Sequence, residues 1–441
     1  MKLIENQQFK YLLAGFPILA FIYALISYSV NIPWLDDFEV GPVALYRWLQ
    51  EVEFQKKMAI IWAPNNEHRV VTLKLLVLFN YYVLGQLNFK WMILQSHLYL
   101  IPLFIVIWKT LPKSNRVLFF LPVPYLFLNF QYYLSTYWMI SSVQHNLVIG
   151  FGALAMYCLS KNSTRRFWLA LGCTLMACLS NSDGLFFIPI GALVLLLQQR
   201  LRGLLIWLML LSSAIVLFFW KYPSMNYHES GINYFYQHPL ESLNGFFVFM
   251  GGGFDFWYRE QTSFRLIETA FVGILLVFIL LISLIRLIKG LGFSQFIQRF
   301  KDKSSTQPNV LFVLSMLLFC LMNAGAISIL RSSWGEFVYL IGNYKIYPTL
   351  ALVFVYLLVL LTWKPSSMLV GLISIFSIIF WGFSIANSLE DVRQRKILLQ
   401  KERVLFRKGE VGLGFTAQQQ KDFGIDKIMR FFESKGIYSE E

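Results

Sequence analysis

The chain predicts a polytopic α-helical membrane protein, and three observations carry that prediction. Of its 441 residues, 57% are hydrophobic and 17% aromatic, while only 14% are charged, against about 25% in soluble domains. Apolar stretches of roughly 17–25 residues, each long enough to cross a bilayer as a helix, recur along the whole length. Lysine and arginine cluster between alternate stretches, as retention on the cytoplasmic face requires.

Residues 11–30 form the first expected crossing. No small-residue cleavage site follows it, so it reads as an uncleaved helix. Lys2 and Lys10 precede it and place the N-terminus in the cytoplasm. The run 70–87 contains Lys74, Asn80 and Gln86 and is expected to lie in the outer interface as an amphipathic helix. Ten further crossings follow at about 89–108, 117–134, 143–160, 167–182, 185–199, 203–220, 264–285, 309–329, 345–363 and 366–386, which makes about eleven in all.

Under this scheme the later cytoplasmic segments carry Lys109, Lys113, Arg116, Lys161, Arg165, Arg166, Arg200, Arg202, Arg286, Lys289, Arg299, Lys301, Lys303 and Lys364. Their acids are Glu5, in the N-terminal segment, and Asp302; the opposite loops mix acids with bases. The expected organisation is a transmembrane domain over 1–387 and a small external tail over 388–441. The domain has a large first external loop at 31–88, carrying interfacial helices, and a second at 221–263. The tail has helix-like stretches at 389–408 and 418–435 and is too short for a substantial core of its own.

The formal charge of +14 sits in these membrane-flanking clusters, which argues against a nucleic-acid partner. The four cysteines, Cys158, Cys173, Cys178 and Cys320, fall inside expected crossings and lack loop metal-ligand spacing. Gly251-Gly252-Gly253 is not followed by Lys-Ser or Lys-Thr, so nucleotide binding is not expected.

Chemistry-bearing residues gather on the external side. Asp36 and Asp37 follow directly on the first crossing, and an acidic pair at a membrane surface must stay hydrated or paired to remain charged. Residues 40–58 have helical periodicity with Pro42 near the start, and folding that segment back would bring Asn65-Asn66-Glu67-His68-Arg69 near the pair. Further external candidates are Tyr137-Trp138, Gln144-His145-Asn146, Asn181-Ser182-Asp183-Gly184, Asp255 to Glu260 with Arg259 among them, Arg331, and Asn343-Tyr344-Lys345. The aromatic residues at 132–138 and 254–258 also fit an interfacial belt.

A first helix, an acidic pair opening a large external loop, a His/Arg motif ending an amphipathic segment and many further crossings together resemble the GT-C superfamily of integral membrane glycosyltransferases. Within it the likeness is to bacterial enzymes that use polyprenyl-phosphate sugars, including relatives of protein mannosyltransferases and lipid A aminoarabinose transferases. The likeness has definition over residues 1 to about 200; beyond that it rests on crossing number and an external tail. It implies a multi-pass protein of the bacterial inner membrane with a periplasmic active site. The implied donor is a polyprenyl-phosphate-linked sugar, and the implied acceptor is a saccharide, lipid or protein.

Asp36 aligns with the lead acid of the family motif and is the expected base for the attacking hydroxyl, since C1 departs through an oxocarbenium-like state. Asp37 would raise the pKa of Asp36, hold a divalent cation (Mg or Mn), or orient the acceptor. Arg331, Lys345, Arg69 and Arg259 are the candidates for the leaving phosphate. Glu67, His68, Tyr137, Asp183 and Tyr344 complete the expected substrate-binding set. One departure stands out: the family often has Arg-Tyr where this chain has Asn343-Tyr344, which leaves Lys345 or Arg331 to supply the cation. Two other functions stay open: a surface-polysaccharide polymerase or ligase, relying on Arg and His, and a lipid-linked-saccharide transporter or flippase.

Overall fold

The computed structural model describes residues 7–66, 68–220, 222, 231–256, 262–289 and 307–439. Every regular element among them is helical. Eight helical segments are long and apolar enough to cross a membrane, consistent with a multi-pass membrane protein. They are α1 (Gln7–Tyr28), the stacked pair α5 (Phe89–Leu98) and α6 (Leu100–Thr110), α10 (Met139–Ser160), α13 (Leu201–Phe219), α16 (Ser263–Lys289), α17 (Gln307–Leu330), α18 (Ile346–Trp363) and α19 (Ser367–Arg407).

The remaining three expected crossings are shorter helices. The stretch at 117–134 bears Pro122 and Pro124 yet stays helical through α7 (Arg116–Phe120) and α8 (Pro122–Phe127); the helix breaks at Leu128, whose ψ turns to 70°, before the short α9 (Tyr133–Tyr137). The stretch at 167–182 becomes α11 (Thr164–Cys178), and that at 185–199 becomes α12 (Phe187–Leu197) after a 3₁₀ turn at Ser182–Phe186. Irregular backbone at membrane depth is tolerated where protein surrounds it, and here the interruptions carry polar side chains. α10 is the most enclosed crossing, with 89% of its apolar window buried.

The helix ends sort into two sets. At one end Lys161 Nζ donates to Asn309 Oδ1 (2.6 Å), Asn309 Nδ2 donates to the Thr110 carbonyl (3.0 Å), and Trp363 Nε1 donates to Ser283 Oγ (3.1 Å). This is the basic end. The other, acidic end holds Asp36, Asp37 and the helices of the first loop: α2 (Ala44–Gln50), α3 (Phe54–Trp62) and α4 (Val71–Leu84). At fourteen residues α4 is too short for a crossing. The 221–263 segment includes α14 (Gly231–Gln237) and α15 (Pro239–Gly251). α15 packs against α16 so closely that a Cβ on Gly251 would lie 1.8 Å from the Thr269 carbonyl oxygen.

The boundary expected at 387–388 falls inside α19, which runs unbroken for 41 residues. Beyond it, the stretch at 418–435 divides into α20 (Ala417–Phe423) and α21 (Ile425–Ser434) around Gly424, whose φ of +61° suits glycine. These residues pack onto the first loop. Leu35 N–H donates to the Leu413 carbonyl (3.2 Å) and Leu87 N–H to the Ile437 carbonyl (2.6 Å). Tyr438 OH donates to the Asn31 carbonyl (2.6 Å), and Phe38 meets Phe415 edge to face. The tail therefore shares the core of the acidic end.

Candidate functional site at the acidic end

The two adjacent aspartates face opposite ways. Leu35 takes a left-handed conformation (φ 50°), and the turn it makes sends Asp36 outward and Asp37 inward. Asp37 is buried; its Oδ2 accepts from Trp34 N–H (3.0 Å) and its Oδ1 from Ile140 N–H (2.9 Å). The second bond caps the start of α10, where a carboxylate also meets the positive end of the helix dipole. Arg395 of α19 stacks over Trp34 (4.8 Å) and Trp138 (5.9 Å) and supplies positive charge to Asp37. Burial outweighs these partners and pushes the Asp37 carboxyl up to about 7. Both its oxygens are committed to backbone, so the expected role in holding a cation or acceptor is replaced by a structural one.

Asp36 is exposed and makes no hydrogen bond or ion pair with any described residue. The protein around it still removes enough water to raise its carboxyl pKa. Glu39 stands nearby, its Oε2 accepting from Asn65 Nδ2 (2.7 Å). Asn65 and His68 pair through both backbone N–H groups, so the polar surface continues from the acids to His68.

His68 turns toward the Ser182 turn, with Nδ1 2.7 Å from Ser182 Oγ. Burial, with the charge of Arg331 second, pushes its pKa down to about 4, so the imidazole is neutral at pH 7. Beside it Tyr347 OH donates to Asp183 Oδ2 and lies 2.7 Å from His145 Nδ1. Asp183 Oδ1 is buried without a hydrogen-bond partner among the described residues. Gly184 holds this turn against α11: a Cβ there would lie 2.2 Å from the Ala177 carbonyl oxygen. The group joins a carboxylate, a phenol, two imidazoles and a hydroxyl from four separate stretches of chain.

Several expected contacts have other work. Arg69 is buried and donates to the carbonyls of Trp62, Phe218 and Trp220, which ties the end of α3 to the end of α13. It is a brace, not a phosphate ligand. Arg69→Lys keeps one cation but loses most of these bonds; it should cost about 1–3 kcal/mol in unfolding free energy. Thermal melts in detergent measure this.

Lys345 is buried in an ion pair with Asp255 (2.8 Å), which also takes a bidentate pair from Arg265 (2.6 Å to each oxygen). Lys345 is therefore committed to a latch between 255 and the start of α18. Tyr137 is buried, and its hydroxyl has no hydrogen-bond partner among the described residues. Tyr344 is half-buried beside Tyr347. Arg331 stacks on Trp334 (3.9 Å) and its charge reaches His68. Glu67 and Arg259 lie outside the described residues.

Compared with known protein families, curated proteins and solved structures, the chain matches none of them.

Among the described residues no three His, Cys, Asp or Glu side chains are grouped to hold a metal ion. At the aspartate turn the acidic end thus offers an open carboxylate, Asp36, and further along the same surface a neutral His68 beside a hydrogen-bonded Asp183–Tyr347–His145 chain that the charge of Arg331 reaches. The sequence reading named His145 among the external candidates without giving it a role, and it left Tyr347 out. The available signal was the polar run Ser141, Ser142, Gln144, His145 and Asn146 in the first two turns of α10, because polar side chains inside a crossing need partners.

Proposed function

We propose that the protein is a GT-C-like membrane glycosyltransferase that moves a sugar from a polyprenyl-phosphate carrier to a hydroxyl acceptor at the acidic end. The observation that carries this reading is the division of labour within the acidic pair: Asp37 holds the loop in place, and Asp36 presents an unpaired carboxylate with a raised pKa. A first loop with two short helices, α2 and α3, also supports it.

In the proposed reaction Asp36 takes the proton of the acceptor hydroxyl as its oxygen bonds to C1. The C1–O bond to phosphate breaks, and the lipid phosphate leaves with the electron pair. That leaving group is already good, so a basic carboxylate matters more than a strong acid. Arg331 is the cation placed to meet the departing phosphate, and Asp183 and Tyr347 offer contacts for sugar hydroxyls. The site would face the periplasm of a bacterial inner membrane, with the basic end in the cytoplasm.

The test is to offer purified protein a panel of polyprenyl-phosphate sugars and measure release of free lipid phosphate. Movement of labelled lipid across proteoliposomes without acceptor, and no release, would replace the reading with transport.

The His68, His145 and Arg331 grouping favours a second reading, a surface-polysaccharide polymerase or ligase built on His and Arg. Tyr347→Phe separates the two. As a sugar contact its loss should lower turnover about 10-fold, whereas as part of a His-based proton path the loss should reach about 100-fold or more. Steady-state rates on the active donor decide between them.

A further inference from the structure

A cavity of about 380 Å³ lies at the basic end, remote from the acids, lined by Lys10 and Tyr11 of α1, Trp108 of α6, and Lys113, Asn115 and Arg116 at the turn into α7. We propose that it binds the phosphate of an anionic phospholipid, with Arg116 and Lys113 as the principal contacts. Three cationic side chains converge there, and among the described residues none that lines it is acidic. Such a group is self-repelling until an anion joins it.

Arg116 supplies an independent sign. Its guanidinium lies over the Trp108 ring (5.6 Å) and Nη2 makes one long bond to the Leu111 carbonyl (3.4 Å), yet Nε is buried with no partner among the described residues. Buried donors are nearly always satisfied, and a phosphate oxygen would satisfy this one. The volume falls in the range of about 300–1,000 Å³ typical of small-ligand sites.

A membrane lipid fits the surroundings better than a soluble anion. The next turns of α1 turn Leu12, Phe16 and Leu19 outward, an apolar track for acyl chains directly beside the headgroup. Basic pockets between helices at the cytoplasmic surface are where anionic headgroups settle.

The test uses the full chain in detergent and native mass spectrometry, with phosphatidylglycerol and phosphatidylcholine of identical chains and, separately, inorganic phosphate. One saturable phosphatidylglycerol adduct per chain is expected, at least tenfold preferred over phosphatidylcholine. Lys113→Gln with Arg116→Gln should weaken it about 25-fold, at about fivefold per charge, while Lys364→Gln at the same end leaves it unchanged. Lys113 is exposed, so Lys113→Gln alone should fold normally and still show the fivefold loss. Equal binding of the two lipids, an unaltered adduct in the variants, or inorganic phosphate bound as tightly as the lipid would each overturn the assignment.

Discussion

Asp36→Asn is expected to lower release of free polyprenyl phosphate by about 10²–10⁴-fold while leaving the protein folded. The asparagine keeps the size and one oxygen of the carboxylate but cannot accept a proton at neutral pH. Because Asp36 is exposed and bonds to no described neighbour, the change in stability should stay within about 0.5 kcal/mol. A loss of that size with an unaltered melting curve isolates the chemistry from the fold. Retained activity would remove Asp36 as the base and favour the reading built on His68, His145 and Arg331. Glu39, the nearby acid, gives an internal comparison. Its carboxylate is engaged by Asn65, so Glu39→Gln should lower activity much less.

The second large effect belongs to the neighbouring residue and has the opposite character. Asp37→Ala removes the acceptor for two backbone N–H groups and leaves Arg395 buried without its nearby negative charge. Leaving those two N–H groups unpaired in a buried setting costs about 1–3 kcal/mol each, enough to unfold the acidic end or stop the protein accumulating. Asp37→Asn keeps one acceptor oxygen and should be milder.

The two Asp37 variants also differ from wild type in their response to pH. The folded-state pKa of Asp37, about 7, lies above the ordinary 3.8, so between those values the folded chain binds more protons than the unfolded one. Its contribution is complete below about pH 4 and is lost as pH rises through 7. The wild-type melting temperature should therefore fall across that window, and the slope due to this residue should vanish in Asp37→Asn. A wild-type slope identical to that of the variant would show that the carboxyl ionises normally.

What could be read in advance follows from which forces act locally. Eight crossings were legible because a run of apolar residues long enough for a bilayer is a property of one continuous stretch. The stretch at 117–134 was harder, since the break after Phe127 falls inside an apolar run that continues past it. The acidic pair was visible, but its division was not. Which aspartate turns inward depends on the φ of Leu35 and on Ile140, more than a hundred residues away. Arg69 and Lys345 were taken for phosphate contacts because a cation on the correct side looks the same whether its partner is substrate or backbone. Only the fold brings the carbonyls of Phe218 and Trp220 to Arg69 and Asp255 to Lys345. Tyr347 and Asp183 are 164 positions apart, and no local pattern links them.

α19 has a mechanical consequence. Forty-one residues make a rod of about 60 Å, roughly twice the hydrocarbon thickness of a bilayer. Met368, Leu372 and Phe376 lie exposed along its first half, and Arg395 beneath the aspartate turn belongs to its second half. With no joint between the two, a tilt imposed by a thinner or thicker membrane swings the far half like a lever arm and shifts the ground on which Asp36 stands. Lipid chain length thus becomes a setting for the position of the Asp36 carboxylate, and a pair of glycines inserted near position 387 would disconnect it.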